Sequence, residues 1–439
     1  MFSQRISNCF DSHVHWLATG EVAERLSLHG LKSAEQVNTL KVEMYHWRGE
    51  WLLGFGWDQN HWPNQAFPDR HILDQVFGTE RPVAFSRADG HALWVNTVAL
   101  QKAGLMSANI KDPQGGRIVR DAQGFPTGVL IDTAMLAVDA CIPVRSATDT
   151  RRALLKGMQI FNQAGFTHIR DLSCSALQWE ESLKLEQSGV LTLAVEQFFS
   201  VEEGQDFAMA LKLARQARQN KTKRLRVMGV KAYVDGALGS EGAWLSCPYH
   251  SGSGLGLQLF SMDQIKQMMR ETWSHGLDLA VHTIGDEAAH QTVLSYHELA
   301  QQGVHGRLHL EHAELLRPET VALMVGQNIR CHLQPCHWLS DRAWLSQKIG
   351  DLQKYAFPWR ALQEAKVIFD FGSDSPIERP SLLDNLRALE TSATQGVAPL
   401  LGDPLKYHSH SDSAWVANTY TVFADGVPTE VVYNGEHLL

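Results

Sequence analysis

The chain is poor in cysteine and has no cysteine framework. Six of its 439 residues are cysteine (Cys9, Cys141, Cys174, Cys247, Cys331 and Cys336), and none forms a C-x-x-C pair. Such sparse spacing excludes a disulfide scaffold, and a reducing cytoplasm is the expected location. Long apolar runs are missing as well. The longest are strand-length, against the ~20 residues a membrane helix needs, so no membrane partner is expected. The N-terminal stretch MFSQRISNCFDSHVH lacks the basic head and apolar segment of a signal peptide. Charge of one sign is nowhere concentrated. The net charge of −9, from 39 basic and 48 acidic residues, offers no basic face to a nucleic acid. Lysine is scarce: the 15 lysines are outnumbered by 21 histidines. Histidine is the commonest metal ligand and the usual proton carrier near neutral pH, so the placement of these residues becomes the question.

What remains is an ordinary folded composition, 44% hydrophobic and 20% charged, long enough for a sizeable core. From residue 151 onward, helical stretches alternate with short apolar ones. Residues 151–164 read as an amphipathic helix closed by Gly165. Strands are expected at 166–171, 191–199, 225–234, 277–284, 307–312, 329–334 and 366–372, and an eighth at 6–12. Helical segments such as 262–275 and 286–302 lie between them. Eight strands alternating with helices predict an α/β fold, a (β/α)8 TIM barrel formed by residues 1–15 and 151–410. A doubly wound open sheet is the alternative, but no Gly-rich phosphate fingerprint follows the first strand. Residues 16–150, rich in Trp, Gly and Pro, exceed any barrel connection and predict an inserted subdomain over the active site. It should contain a strand at 82–87 and hairpin-like turns at Pro113–Gly116 and Asp121–Gly124.

Active sites of such barrels lie at the C-terminal ends of the strands. Ligand-type residues stand there five times. His13 and His15 end strand 1 in an H-x-H, where positions i and i+2 share a face. Lys231 lies in strand 4, His282 ends strand 5, His312 ends strand 6, and Asp374 follows strand 8. A bare H-x-H is weak evidence, and one strand-end histidine is usually structural. The joint pattern is far more specific. Imidazole and carboxylate ligands suit a divalent metal, Zn²⁺ above all, with a position left open for water.

The motifs DSHVH, KAYVDGALGS, HTIGDEA, LEHAE and GSDSP stand in that order. In them the chain resembles the amidohydrolase superfamily, in the branch that includes N-substituted formamide deformylases (amidohydrolase family 3). GWDQN, RADGHALWVN and GGRIVRDAQGFPTGVL resemble that branch's inserts. The resemblance spans about residues 10–435. It implies that His13, His15 and Asp374 hold one divalent ion and that His282 and His312 hold a second. Lys231 would bridge the two as a carboxylated lysine. It also implies hydrolysis of a non-peptide C–N bond (amide, formamide or cyclic amide) by a metal-bound hydroxide, with Asp374 as general base and then acid. Alternatives are a mononuclear deaminase using His13, His15, His282 and Asp374, in which Lys231 simply pairs with Asp235, and a catalytically idle regulatory barrel.

Candidate substrate contacts are His91, Trp57 and Asp58 from the insert, and His337 and Asp341 after strand 7. Each has a bland reading: a turn residue for His91, core packing for Trp57. The aromatic content of the insert (Trp57, Trp62, Trp94) hints at an apolar or aromatic substituent on a small-molecule substrate. Asp286 reads as a helix cap, and neither Cys331 nor Cys336 is expected to act as a nucleophile. Relatives of this kind carry a small β-sandwich built from about 50–60 residues ahead of the H-x-H and from the tail. With H-x-H at residue 13, only a reduced remnant is expected at 411–439, folded around an Asp425-Gly426 turn. A lone hairpin is marginal, so a second subunit in a homo-oligomer is one way to cover its edge.

Overall fold

The computed structural model describes residues 3–201, 206–252, 254–412 and 415–439. Eight parallel strands form its central sheet. They are β1 (Phe10–Val14), β2 (His168–Cys174), β3 (Ala194–Ser200), β4 (Leu225–Tyr233), β5 (Asp278–Thr283), β6 (Leu308–His312), β7 (Ile329–Leu333) and β8 (Ile368–Phe371). Each pairs with its sequence neighbour, in the order β8-β7-β6-β5-β4-β3-β2-β1. The ends meet just past β1 and β8, where Val14 and Ser375 form a parallel bridge. There Asp374 donates its backbone N–H to His13 (2.7 Å) and His15 donates to Ser375 (2.8 Å). This is the expected barrel, nearly closed. Gly372 permits the closure, because a Cβ there would sit 2.5 Å from the His13 nitrogen.

Local sequence explains the helix bounds. The helix expected from residue 151 begins at Ala147, because Ser146 and Asp149 form a capping box ahead of the apolar periodicity. Ser261 and Gln264 do the same for Met262–Ser274. Asp286 is not a cap. It is the first residue of Asp286–Gln301, Gly285 is the cap, and its carboxylate accepts from the Ser246 N–H (3.0 Å) and hydroxyl (2.6 Å).

Two boundaries differ from expectation. The strand read at 6–12 is two strands, broken at Asn8, whose φ is +49°. Ser3–Ser7 leaves the barrel and pairs antiparallel with Tyr420–Ala424. The hairpin Tyr420–Ala424 and Val427–Tyr433, turned at Asp425-Gly426 with φ positive at both, thus gains a third strand and, with Glu436–His437, forms a four-stranded sheet. The insert also starts later than residue 16. Helix Trp16–Val22 belongs to the barrel's outer layer, with the Trp16 indole donating to the Leu154 carbonyl (2.9 Å). A sheet of mixed direction follows, including Trp51–Trp57, Val83–Arg87, Ala92–Val95 and Pro126–Asp132. It buries an apolar cluster on each face.

Candidate active site

The strand ends bring the expected ligand-type residues together. His13 and His15 both approach one oxygen of Asp374: each imidazole Nε2 lies 3.2 Å from Asp374 Oδ1. His312 Nδ1 lies 4.0 Å from the other carboxylate oxygen. The ring of His312 is 4.7 Å from that of His13 and 4.5 Å from that of His282. Lys231 is fully buried in β4, with Nζ 4.3 Å above the Tyr233 ring. Its charge contributes to holding His282 and His312 well below the usual imidazole range, after burial itself. Both are therefore neutral, the form in which histidine ligates a metal. Asp235, beside Lys231 in sequence reach, accepts the backbone N–H groups of Trp244, Ile284 and Gly285 at 2.8–3.1 Å.

The donor set fits a divalent cation. Ligand atoms of His13, His312 and Asp374 all lie within 4.8 Å of one another. His13 Nε2 and Asp374 Oδ1 are buried, face each other and make no hydrogen bond. Two lone-pair atoms so placed require a positive charge between them, either a proton or a metal ion. Burial opposes the charge on each group, yet each favours the other's ionised form: Asp374 lies well below the usual carboxylate range and His13 above its ordinary value. The loops that carry these groups are held in sparsely populated backbone conformations, with φ of +67° at His312, +43° at Ala313 and +56° at Asp374. Non-glycine residues persist there only where the surroundings over-determine them.

Buried polar groups behind His13 orient its ring. Glu311 accepts from His13 Nδ1 (2.6 Å), and its other oxygen is ion-paired with the buried Arg170 guanidinium (2.8 Å). Arg170 in turn lies 4.2 Å above the Phe198 ring. A bond at Nδ1 leaves Nε2 of His13 for a ligand. His309 and His332, 2.9 Å apart, extend this polar layer into the barrel core. Gln334 bonds His312 Nδ1 at 2.9 Å.

The insert closes the cleft from above. His91 bonds Asp132 through Nδ1 (2.6 Å), and its ring is 4.9 Å from that of His282. Burial disfavours its charge, but the bond to Asp132 and the charges of Asp132, Asp89 and Asp374 raise its pKa to about 9. Asp58 lines the cleft and pairs with Arg87, which also bonds Asp89 and, at 2.8 Å, Gln59. From the barrel side, His337 stacks on His312 (5.8 Å, 18°) with Nε2 3.7 Å from Asp374. Asp341 lies one turn further along the same helix, Pro335–Asp341, and also lines the cleft.

Trp57 does not reach the cleft. It is fully buried in the insert core and donates its indole N–H to the Phe85 carbonyl (2.7 Å). Trp62 and Trp94 pack in the same cluster, so none of these three tryptophans lines the cleft. Sequence reasoning also missed lining residues, namely Arg87, Asp89, Glu314 and Glu378. Arg87 ends a strand and Glu314 sits two residues past His312, so the strand-end rule reaches both. The cysteines are free, and burial pushes the thiols of Cys331 and Cys336 up, away from the nucleophilic thiolate.

Known proteins share this arrangement of sequence and fold. The amidohydrolase family profile matches residues 10–409. YtcJ of Bacillus subtilis, named as an amidohydrolase, is 31% identical over 383 residues, covering 84% of this chain and 69% of its own. N-substituted formamide deformylase of Arthrobacter pascens is 25% identical over 371 residues, 81% of this chain and 67% of its own. The crystal structure of an uncharacterized metal-dependent hydrolase from Pyrococcus horikoshii superposes with a TM-score of 0.72 at 23% identity, covering 100% of this chain and 89% of that one. With its eight-strand barrel, histidine-rich strand ends and a profile match across most of its length, this chain belongs to the amidohydrolase family.

Proposed function

We propose that this enzyme hydrolyses a non-peptide C–N bond, in an amide, formamide or cyclic amide, at the cluster formed by His13, His15, Lys231, His282, His312 and Asp374. The observation that carries the reading is the buried, unbonded pair His13 Nε2 and Asp374 Oδ1, gathered with His312 in one ligand-sized group. His13, His15 and Asp374 would hold one divalent ion, zinc in the first instance. His282 and His312 would hold a second, with Lys231 as its carboxylated bridge. When bound, such ions supply an activated water and an electrophile for a carbonyl oxygen.

The chain's own residues supply the rest. Asp374, at the cleft floor, takes a proton on a carboxylate oxygen and returns it to the departing nitrogen. His91 keeps its Nδ1 on Asp132, so its Nε2–H is the group free to donate to the substrate carbonyl oxygen. His337 packs flat on His312 and limits water beside Asp374. Asp58 and Asp341 border the substituent. A small-molecule substrate suits a cleft of about 170 Å³. Among the described residues no helix is long and apolar enough to cross a membrane; a cytoplasmic site of action is part of this proposal, as is assembly into a homo-oligomer.

Metal analysis of the purified protein should find one to two equivalents of zinc or a similar ion, and a panel of N-substituted formamides should include a substrate. His13→Ala and Asp374→Asn should each abolish turnover. A metal-free protein, or a variant of either residue that keeps its rate, rules the reading out. One equivalent of metal with an unmodified Lys231 by intact mass favours the deaminase alternative, in which His13, His15, His282 and Asp374 hold a single ion.

A further inference from the structure

We infer that Asp132 is a positioning residue of this site: seated on a glycine-lined loop of the barrel, it holds His91 so that Nε2 of the ring faces the cleft. The inference rests on the hydrolase reading above and deepens it, because it names what aims the insert's donor.

Asp132 and His91 are joined twice. The Asp132 carboxylate pairs with His91 Nδ1 at 2.6 Å, and the Asp132 backbone N–H donates to the His91 carbonyl at 3.0 Å. Asp132 is the last residue of Pro126–Asp132, and the strand paired with it, Ala92–Val95, begins just after His91. The sheet thus fixes the base of the ring, and the carboxylate fixes its rotation. With Nδ1 occupied, Nε2 is the ring atom left for the cleft, which His91 lines together with His282 and Asp374.

The backbone at Asp132 shows that its carboxylate is what the position requires. A φ of +49° with ψ of −125° is the first central position of a type II′ turn, where glycine is the usual residue. Glycine would adopt these angles without strain, so a turn alone does not call for aspartate.

The barrel meets this carboxylate with glycines of its own. A Cβ at Gly236 or Gly242 would stand 2.5 or 2.6 Å from Asp132 Oδ2, and one at Gly239 would stand 2.6 Å from a guanidinium nitrogen of Arg87. The segment after β4, through KAYVDGALGS and on to Gly242, therefore carries glycine wherever these two charged residues of the insert press on it. Asp132 Oδ2 is buried there and makes no hydrogen bond among the described residues. Close contact sets its place, and an added atom displaces it.

The test uses the metal-loaded full chain and N-butylformamide. Asp132→Gly removes the carboxylate and relieves the backbone at once. It should lower kcat by about 100- to 1,000-fold, the scale of one lost transition-state donor, and leave KM within about threefold. Asp132→Gly combined with His91→Ala should be no slower than His91→Ala alone, since Asp132 acts through His91. Gly242→Ala, which crowds Asp132 Oδ2 from the barrel side, should lower kcat in the same sense. Proton NMR of protein carrying isotope-labelled histidine gives a readout independent of turnover. A ring N–H strongly deshielded by its short bond should be present in the parent and absent from both His91→Ala and Asp132→Gly. A further loss when Asp132→Gly is added to His91→Ala, parent kinetics in Asp132→Gly or Gly242→Ala, or a ring resonance that survives Asp132→Gly overturns the inference and leaves the hydrolase reading intact. If the parent cleaves neither N-butylformamide nor any other formamide of the panel, the hydrolase reading falls and the ring resonance alone decides: lost in Asp132→Gly, the positioning role stands; kept, or missing from the parent, it is overturned.

Discussion

Glu311→Gln removes one negative charge and almost no volume, and its effects separate into two measurable parts. The Glu311 carboxylate lies 2.6 Å from His13 Nδ1 and 2.8 Å from Arg170. Burial disfavours its charge, but Arg170, His332 and His13 hold it well below the usual carboxylate range. The first part is stability. Arg170 is 1% exposed and would be left without its counter-charge, a cost of about 3–5 kcal/mol. The second part is metal affinity. A glutamine amide can donate to His13 Nδ1, which places the proton on Nε2, the atom that must ligate. Loss of such an outer partner weakens binding about 10- to 100-fold, which is about 1.4–2.7 kcal/mol. Thermal unfolding of the metal-free protein reads the first part, and competition for zinc against a chelator reads the second. Arg170→Met combined with Glu311→Gln replaces the charge pair by an apolar side chain against Phe198. It should regain most of the stability and none of the affinity. If the double variant binds zinc as tightly as the parent, Glu311 serves only to neutralise Arg170 and does not orient His13.

Three further outcomes are expected. Gly372→Ala should lower turnover at least about 100-fold while preserving the overall fold by circular dichroism, because the added Cβ would stand 2.5 Å from the His13 nitrogen and 2.9 Å from its Cβ; a normal rate would show that β1 tolerates displacement. Trp57→Ala should destabilise by about 3–5 kcal/mol in denaturant titration without altering KM, since the ring fills the insert core and not the cleft. His408, fully buried, has its pKa lowered by desolvation from 6.5 to about 4. Between those values the unfolded chain holds a proton that the folded chain does not, so stability is full above pH 6.5 and declines as pH falls towards 4, by about 3 kcal/mol across the window. Denaturant titrations of His408→Leu over that range should show a shallower decline than the parent, and parallel curves would refute the assignment.

Much of the barrel was legible because its strands repeat one pattern. Each is a short apolar run bounded by turn signals, and seven of the eight observed strands fall within three residues of those expected. The first strand was misread because ISNCFDS is continuous in composition. The break is conformational, at Asn8, and the pairing of Ser3–Ser7 with residue 420 onward is a long-range contact no local pattern encodes. Asp58, His91, His337 and Asp341 do reach the cleft, while Trp57 does not. A tryptophan beside a charged residue reads equally well as a wall or as a core, and only packing separates the two.

The amino-acid order by itself determined the family, the barrel and the residues at its strand ends, because strand-end position follows from local periodicity and the motifs are local. Only the tertiary structure decided which atoms face one another: that Glu311 and Arg170 stand behind His13, and that Arg87 is shared by Asp58 and Asp89. These pairings join residues up to hundreds of positions apart, and they arise from barrel closure and from the insert folding over it, which no single segment specifies.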